Sequence, residues 1–321
     1  MARLAFLLAG MVAIASNAAF AQLGSGVILP PQAGGPPPPS GPQPDVAFAA
    51  YQRGYYVTAL REAMKTLTAN PKNASAMTLI GEIYRSGAGV NPDSAEAEHW
   101  YRLAADLGDR QARFSLGLML LTGQGGVTRD RAAAAALFEQ AAAQGHAGAL
   151  YNLGVMAIEG DDKNQPDFAK AADLFKRAAE LGDGDAAYSY GVLLRSGRGV
   201  PLDTAEGASW IKRAADAGVV AGEVEYAIML FNGEGVDRDE SAAAKLFGKA
   251  AAQNNPIAQN RLAHLYATGR GIKQDLAQAA AWNILAGAGG VKDAQLDALA
   301  AKLTPQERAA ALETVRRQTT F

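Results

Sequence analysis

Ala186-Ala187-Tyr188-Ser189-Tyr190-Gly191-Val192-Leu193-Leu194-Arg195-Ser196-Gly197-Arg198-Gly199-Val200-Pro201-Leu202-Asp203 is the stretch whose reading decides the fold. From Ala186 to Arg195 the side chains suit a helix. Gly197 and Gly199 then stop it, because glycine accepts left-handed backbone angles that other residues resist. Asp203, three residues after Val200, suits an N-cap or first-turn charge on a second helix. The same pattern recurs every 36 or 37 residues, starting from Ala76, Ala112, Ala149, Ala186, Gly222 and Ala258, and Ala294 opens an incomplete seventh copy. Five positions after each start come Gly81, Gly117, Gly154, Gly191, Ala227 and Ala263. The aspartate recurs as Asp93, Asp130, Asp203, Asp239 and Asp275, with Asp167 in the copy whose loop is altered. A period in this range marks a solenoid, in which no unit buries its apolar face alone.

Each copy thus reads as two helices, A and B. Helix B carries a large residue (Trp100, Leu137, Leu174, Trp210, Leu246 or Trp282) and, in the first five copies, an alanine pair such as Ala104-Ala105 or Ala214-Ala215. Small residues at helical spacing let helices approach, and the large ones are expected to fill the remaining gaps. The combination of Ala, Leu-Gly, a glycine loop with Val, Asp, a Trp-Tyr or Leu-Phe pair and Ala-Ala resembles the Sel-one-like repeat (SLR) family, a variant of the tetratricopeptide repeat (TPR). Residues 45–73 resemble an ordinary TPR, with Gly54, Tyr56, Ala59 and Pro71 where that motif places them. The resemblance implies an all-α fold, an α-solenoid of antiparallel helix pairs, with six SLR units over 74–293. Residues 294–321 are expected to form capping helices, since Thr304-Pro305-Gln306-Glu307 has capping-box spacing.

The rest of the composition narrows the function. The net charge of −2 comes from interleaved acids and bases, with no basic stripe for nucleic acid. Arg3, the apolar run Leu4–Ala15 and Ala19-Phe20-Ala21 read as an export signal over 1–21, with cleavage expected near Ala21–Gln22 and a periplasmic or secreted destination. Retention of the signal as an anchor is the alternative, although its apolar run is short for a membrane span. A Pro/Gly-rich linker follows over 22–44, holding eight of the chain's 14 prolines. The chain has no cysteine, which removes disulfides, thiolate metal sites and a lipid anchor on cysteine.

Signals for chemistry are poor, and no catalytic residue, metal site or cofactor is expected. His146 reads as a solvated turn residue, in register with Asp109 and Asp183, and His99 as a surface or packing residue beside Trp100. Ser209-Trp210-Ile211-Lys212 matches the SxxK of penicillin-recognising enzymes, but the SDN and KTG companions are missing. The acidic Asp161-Asp162 with Asp167 lacks calcium-loop spacing.

The stronger signal lies on helix A. Positions two, six and nine after each start point away from helix B. In the four middle copies they hold Phe114, Leu118, Leu121; Tyr151, Val155, Ile158; Tyr188, Val192, Arg195; and Val224, Ile228, Phe231. In the last copy the middle position is His264, beside Asn260 and Ala267; in the first the slots hold Thr78, Glu82 and Arg85. The TPR resemblance implies that this face lines a groove for a peptide or protein partner. Two readings stay open: neighbouring A helices cover the face themselves, or it forms an open groove with aromatic and arginine rims. The resulting expectation is an exported, non-enzymatic interaction scaffold. The alternatives are a cell-wall or β-lactam hydrolase, as linked to cysteine-rich SLR relatives, and a self-associating envelope protein.

Overall fold

A computed structural model describes residues 45–161 and 165–319. The expected signal (1–21), the linker (22–44) and Asp162 lie outside the described residues. The chain divides into two compact units, the first ending at Met156 and the second beginning at Ala157. Among the described residues there are sixteen α-helices and no strand. None of these helices is long and apolar enough to cross a membrane.

The first unit comprises α1 (Val46–Gln52), α2 (Tyr56–Ala69), α3 (Ala74–Ser86), α4 (Ser94–Asp106), α5 (Arg110–Thr122), α6 (Arg131–Ala143) and most of α7 (Ala147–Glu159). From α1 to α6, each helix packs on the next in sequence. The second unit holds α8 (Phe168–Glu180), α9 (Gly184–Ser196), α10 (Thr204–Asp216), α11 (Val220–Asn232), α12 (Glu240–Ala252), α13 (Pro256–Thr268) and α14 (Leu276–Ala288). It ends with α15 (Ala294–Ala300) and α16 (Pro305–Thr319), both packed on α14.

Side-chain caps punctuate the helices. Asp93, Asp130, Asp167, Asp203, Asp239 and Asp275 each accept a hydrogen bond from a first-turn N–H of a B helix. Helices A start two residues earlier than their first alanine suggests. Asn73, Asp109, Asp183 and Asn255 cap them in the same way, so these turn residues are structural.

Packing within each hairpin follows a small-to-large pairing. A Cβ on Gly81 would stand 2.8 Å from the Tyr101 ring, and one on Gly117 would stand 2.6 Å from Phe138. These aromatics, with Phe175 and Ile211 in the second unit, are completely buried. The deepest gap-filling residue of helix B is therefore one position after the slot expected from the sequence. Trp100, Leu137 and Leu246 are only half-buried, whereas Leu174, Trp210 and Trp282 are buried. The reason is geometric: one residue adds about 100° of rotation, which turns the following side chain onto the glycine of helix A.

The two glycines of each loop have different tasks. The first, such as Gly269 at φ +72°, ends helix A in the left-handed conformation. The second seats the loop on the preceding repeat: a Cβ on Gly271 would lie 2.1 Å from the Glu240 carbonyl oxygen. At the end of the chain, the Thr304 N–H donates to Glu307 Oε2 (2.8 Å) and the Glu307 N–H to Thr304 Oγ1 (3.3 Å), forming the capping box. Leu303 and Ala311 then cover Ala280 and Ala281 of α14.

Candidate functional site

The helix-A face predicted to meet a partner separates into two layers. In the first unit Phe114 and Tyr151 are 5% and 8% exposed; in the second, Tyr188 and Val224 are 8% and 7% exposed. These four residues are core, and Phe114, Tyr151 and Tyr188 do not form the exposed aromatic rims of the open-groove reading. Within the first unit Phe114 is held from two sides, by the His146 ring stacked at 4.2 Å and by Phe138 at 5.9 Å. In the second unit Val224 belongs to the cluster that includes Phe247 and Leu262. Burial pushes the Tyr188 phenol well above its usual range, and the nearby Glu225 carboxylate adds to the shift against the opposing Arg195 charge. Within each unit this layer belongs to the packed interior.

The outer layer is only partly covered. Leu118, Leu121 and Val155 in the first unit, and Ile158, Val192, Ile228 and Phe231 in the second, are half-buried. Charged groups border the latter set. Arg195 is held by Glu225 and by Glu234, the latter at 2.7 Å, and its Nε is buried without a hydrogen-bond partner. The Arg270 guanidinium lies 4.1 Å over the Phe231 ring and bonds Glu240 at 2.5 Å. Hydrogen bonds from Arg270 and Arg238 hold the Glu240 carboxyl down at about 2.

At the ends, the corresponding slots bond within the chain. Glu82 accepts from Arg85 (2.5 Å) and from the buried Tyr101 hydroxyl (2.7 Å). His264 Nε2 lies 2.7 Å from Asp293 Oδ2, and Asn260 donates to the same oxygen at 3.1 Å. Asp293 also caps α15. Burial works against its charge, yet the Asn260 and His264 hydrogen bonds and the Leu296 N–H hold the carboxyl down at about 2. His264, expected at the groove, is thus tied to the segment that anchors the C-terminal helices.

The SxxK pair does not form a nucleophile and base. Lys212 is turned to Asp216 at 2.7 Å, and this bond raises its pKa, the wrong direction for a general base. Asp167 is spent on capping α8. Exposed His99 meets Trp100 edge-on at 5.7 Å. Among the described residues, no cluster of His, Cys, Asp or Glu could hold a metal ion.

The Sel1 repeat matches this chain six times in succession, at residues 74–109, 110–146, 147–183, 184–219, 220–255 and 256–291. The chain belongs to the Sel1 repeat family. Among solved structures, a protective antigen of uropathogenic Escherichia coli strains with an SLR fold is similar at 23% identity and a TM-score of 0.72; the alignment covers 85% of this chain and 60% of that one. This chain therefore spans less than two thirds of that antigen. A Sel1 repeat protein from Oxalobacter formigenes is similar at 27% identity and a TM-score of 0.65, over 75% of this chain and 95% of that chain. No curated protein matches.

Within the Sel1 repeats, sequence reasoning missed the role of His146. It is a helix cap rather than a solvated turn residue: its Nδ1 accepts from the Ala149 N–H at 3.2 Å, and its Nε2 lies 3.1 Å from Gln111 Oε1. An accepting Nδ1 and a proton on Nε2 define the neutral ring. Burial, with the Arg110 charge nearby, lowers its pKa to about 4. Because the folded pKa is depressed, this contribution is complete above the unfolded value near 6.5 and is lost as pH falls toward 4; it amounts to at most about 3 kcal/mol. His146→Asn keeps a capping oxygen, as Asn73 and Asn255 do in their copies. We predict that this variant removes part of the acid destabilisation of residues 147–153 between pH 6.5 and 4. Amide exchange across that range tests it, and an unchanged pH dependence contradicts the assignment.

Proposed function

We propose that this chain is an exported, non-enzymatic scaffold that holds a peptide or protein segment against the outer layer of its helix-A side chains. The observation that carries the reading is the half-burial of apolar residues at these positions, Leu118 and Leu121 in the first unit and Val192, Ile228 and Phe231 in the second. Large contiguous apolar patches left accessible on a surface mark interaction sites, whereas single exposed apolar residues do not. In the second unit the Arg195–Glu225–Glu234 and Arg270–Glu240 groups border them, giving apolar anchors flanked by fixed charges. Sel1 and TPR-like repeats generally mediate protein binding, which supports the same reading. The sequence pattern of residues 1–21 supports export, and envelope proteins are the partners to search first.

The test is affinity capture from an envelope extract with the folded chain and with Leu121→Ser and Phe231→Ser. Each change removes one outer-layer anchor. Ile257→Ser, at an exposed apolar residue outside the layer, is the control. The proposal expects about a tenfold loss of retained partner for at least one layer variant, the effect of removing one good apolar anchor. An identical partner set and yield for all variants, with unchanged helical circular dichroism, contradicts it.

A further inference from the structure

We propose that the proline-rich segment Pro36–Pro44 of this chain docks intramolecularly on an aromatic cavity at the α1–α2 turn. That cavity, about 250 Å³ and open to solvent, is lined by Gly54, Tyr55, Tyr56, Val57, Thr58 and Gly89. Among the described residues of the first unit it holds two of the three most exposed large apolar side chains: Tyr55 is 55% exposed and Val57 63%. Tyr56 is fixed by an edge-on contact with Tyr51 at 5.3 Å. On the other side Gly89 closes against the start of α2, where a Cβ would meet Tyr56 Cβ and Val57 Cγ2 at 3.1 Å. Tyr55 holds the N-cap position of α2 without accepting a side-chain hydrogen bond.

Aromatic rings beside a helix start that has no side-chain cap suit a polyproline ligand. Such a ligand offers flat pyrrolidine faces to the rings and carbonyl acceptors without competing N–H groups. The chain carries this ligand next to the cavity. Pro36–Pro39, Pro42 and Pro44 immediately precede Asp45, the cap of α1, and residues 22–44 contain no charge that an apolar site would have to desolvate. The reach is sufficient: six residues of polyproline span about 19 Å, while the seven residues of α1 rise about 10 Å. Attachment at Asp45 raises the effective concentration of this segment far above that of a free competitor.

Amide exchange by mass spectrometry on the full chain tests the proposal. Two variants are compared with the unaltered chain: P36A/P37A/P38A/P39A, and Tyr55→Ala, which removes the ring without supplying a cap. In both, residues 54–60 are expected to exchange about tenfold faster, while the exchange of α16 is unchanged. A synthetic peptide of residues 30–44 should restore protection in the proline variant but not in Tyr55→Ala. Equal exchange in all three chains overturns the proposal. Protection that grows with protein concentration also overturns it, because it assigns the cavity to a second copy.

Discussion

Gly271→Ala is expected to destabilise the second unit by about 3 kcal/mol or more, the range of severe overpacking and backbone strain. At φ +68° any side chain is strained, and the new Cβ would stand 2.1 Å from the Glu240 carbonyl oxygen and 2.4 Å from its carbonyl carbon. Both obstacles are backbone, so no rotamer change relieves them. The loop would have to lift from the start of α12, breaking the Arg270–Glu240 ion pair as it moved. Gly248, inside α12, is the internal contrast. A Cβ there meets nothing within 4 Å, so Gly248→Ala should raise stability by up to about 1 kcal/mol through helix propensity. Urea denaturation followed by circular dichroism distinguishes the two. A small effect for Gly271→Ala would mean that the loops do not seat on the preceding repeat.

The second large effect concerns Tyr188. Tyr188→Glu places a further carboxylate beside Glu225 in a packed interior, where Arg195 is already shared by Glu225 and Glu234, and should cost about 3–5 kcal/mol or more. Tyr188→Phe keeps the ring and should change stability by less than about 1.5 kcal/mol. Unfolding by the glutamate variant reports on the core rather than on a binding face, so this position is unsuitable for testing partner contacts. Thermal melts of the two variants check the contrast; equal, small losses would place Tyr188 at the surface.

The repeat, its helix pairs and the aspartate caps were legible in the sequence because each rests on local chemistry repeated at constant spacing. Asp203 and Asp275 are recognisable from their distance to the glycine loop alone. Gly271 shows the limit: its first-order role as a helix stop is local, but its contact with Glu240 depends on how one repeat meets the one before. His146 shows another. Its register with Asp109 and Asp183 was visible, yet imidazole as a cap acceptor is an uncommon substitution, so the position read as an ordinary turn.

The candidate surface was legible only as a face. Helical periodicity placed Phe114, Tyr188, Val192 and Phe231 together, but it carries no information on which of them a neighbouring hairpin covers. Depth depends on how close adjacent A helices come, whereas pairs such as Gly117–Phe138 set only the spacing of the two helices within one hairpin. His264 looked like a groove residue until Asp293, 29 positions later, supplied its partner.

Hydroxyl-radical footprinting of the intact chain, read residue by residue, tests the central claim that the inner layer of helix A is core and the outer layer accessible. Phe48, exposed and outside the α1–α2 cavity, serves as the exposed standard. The structure predicts slow modification of Phe114, Tyr151 and Tyr188, and faster modification of Leu118, Leu121 and Phe231. Modification of Phe114, Tyr151 and Tyr188 at the rate of Phe48 would contradict it, because the inner layer would then be an open wall.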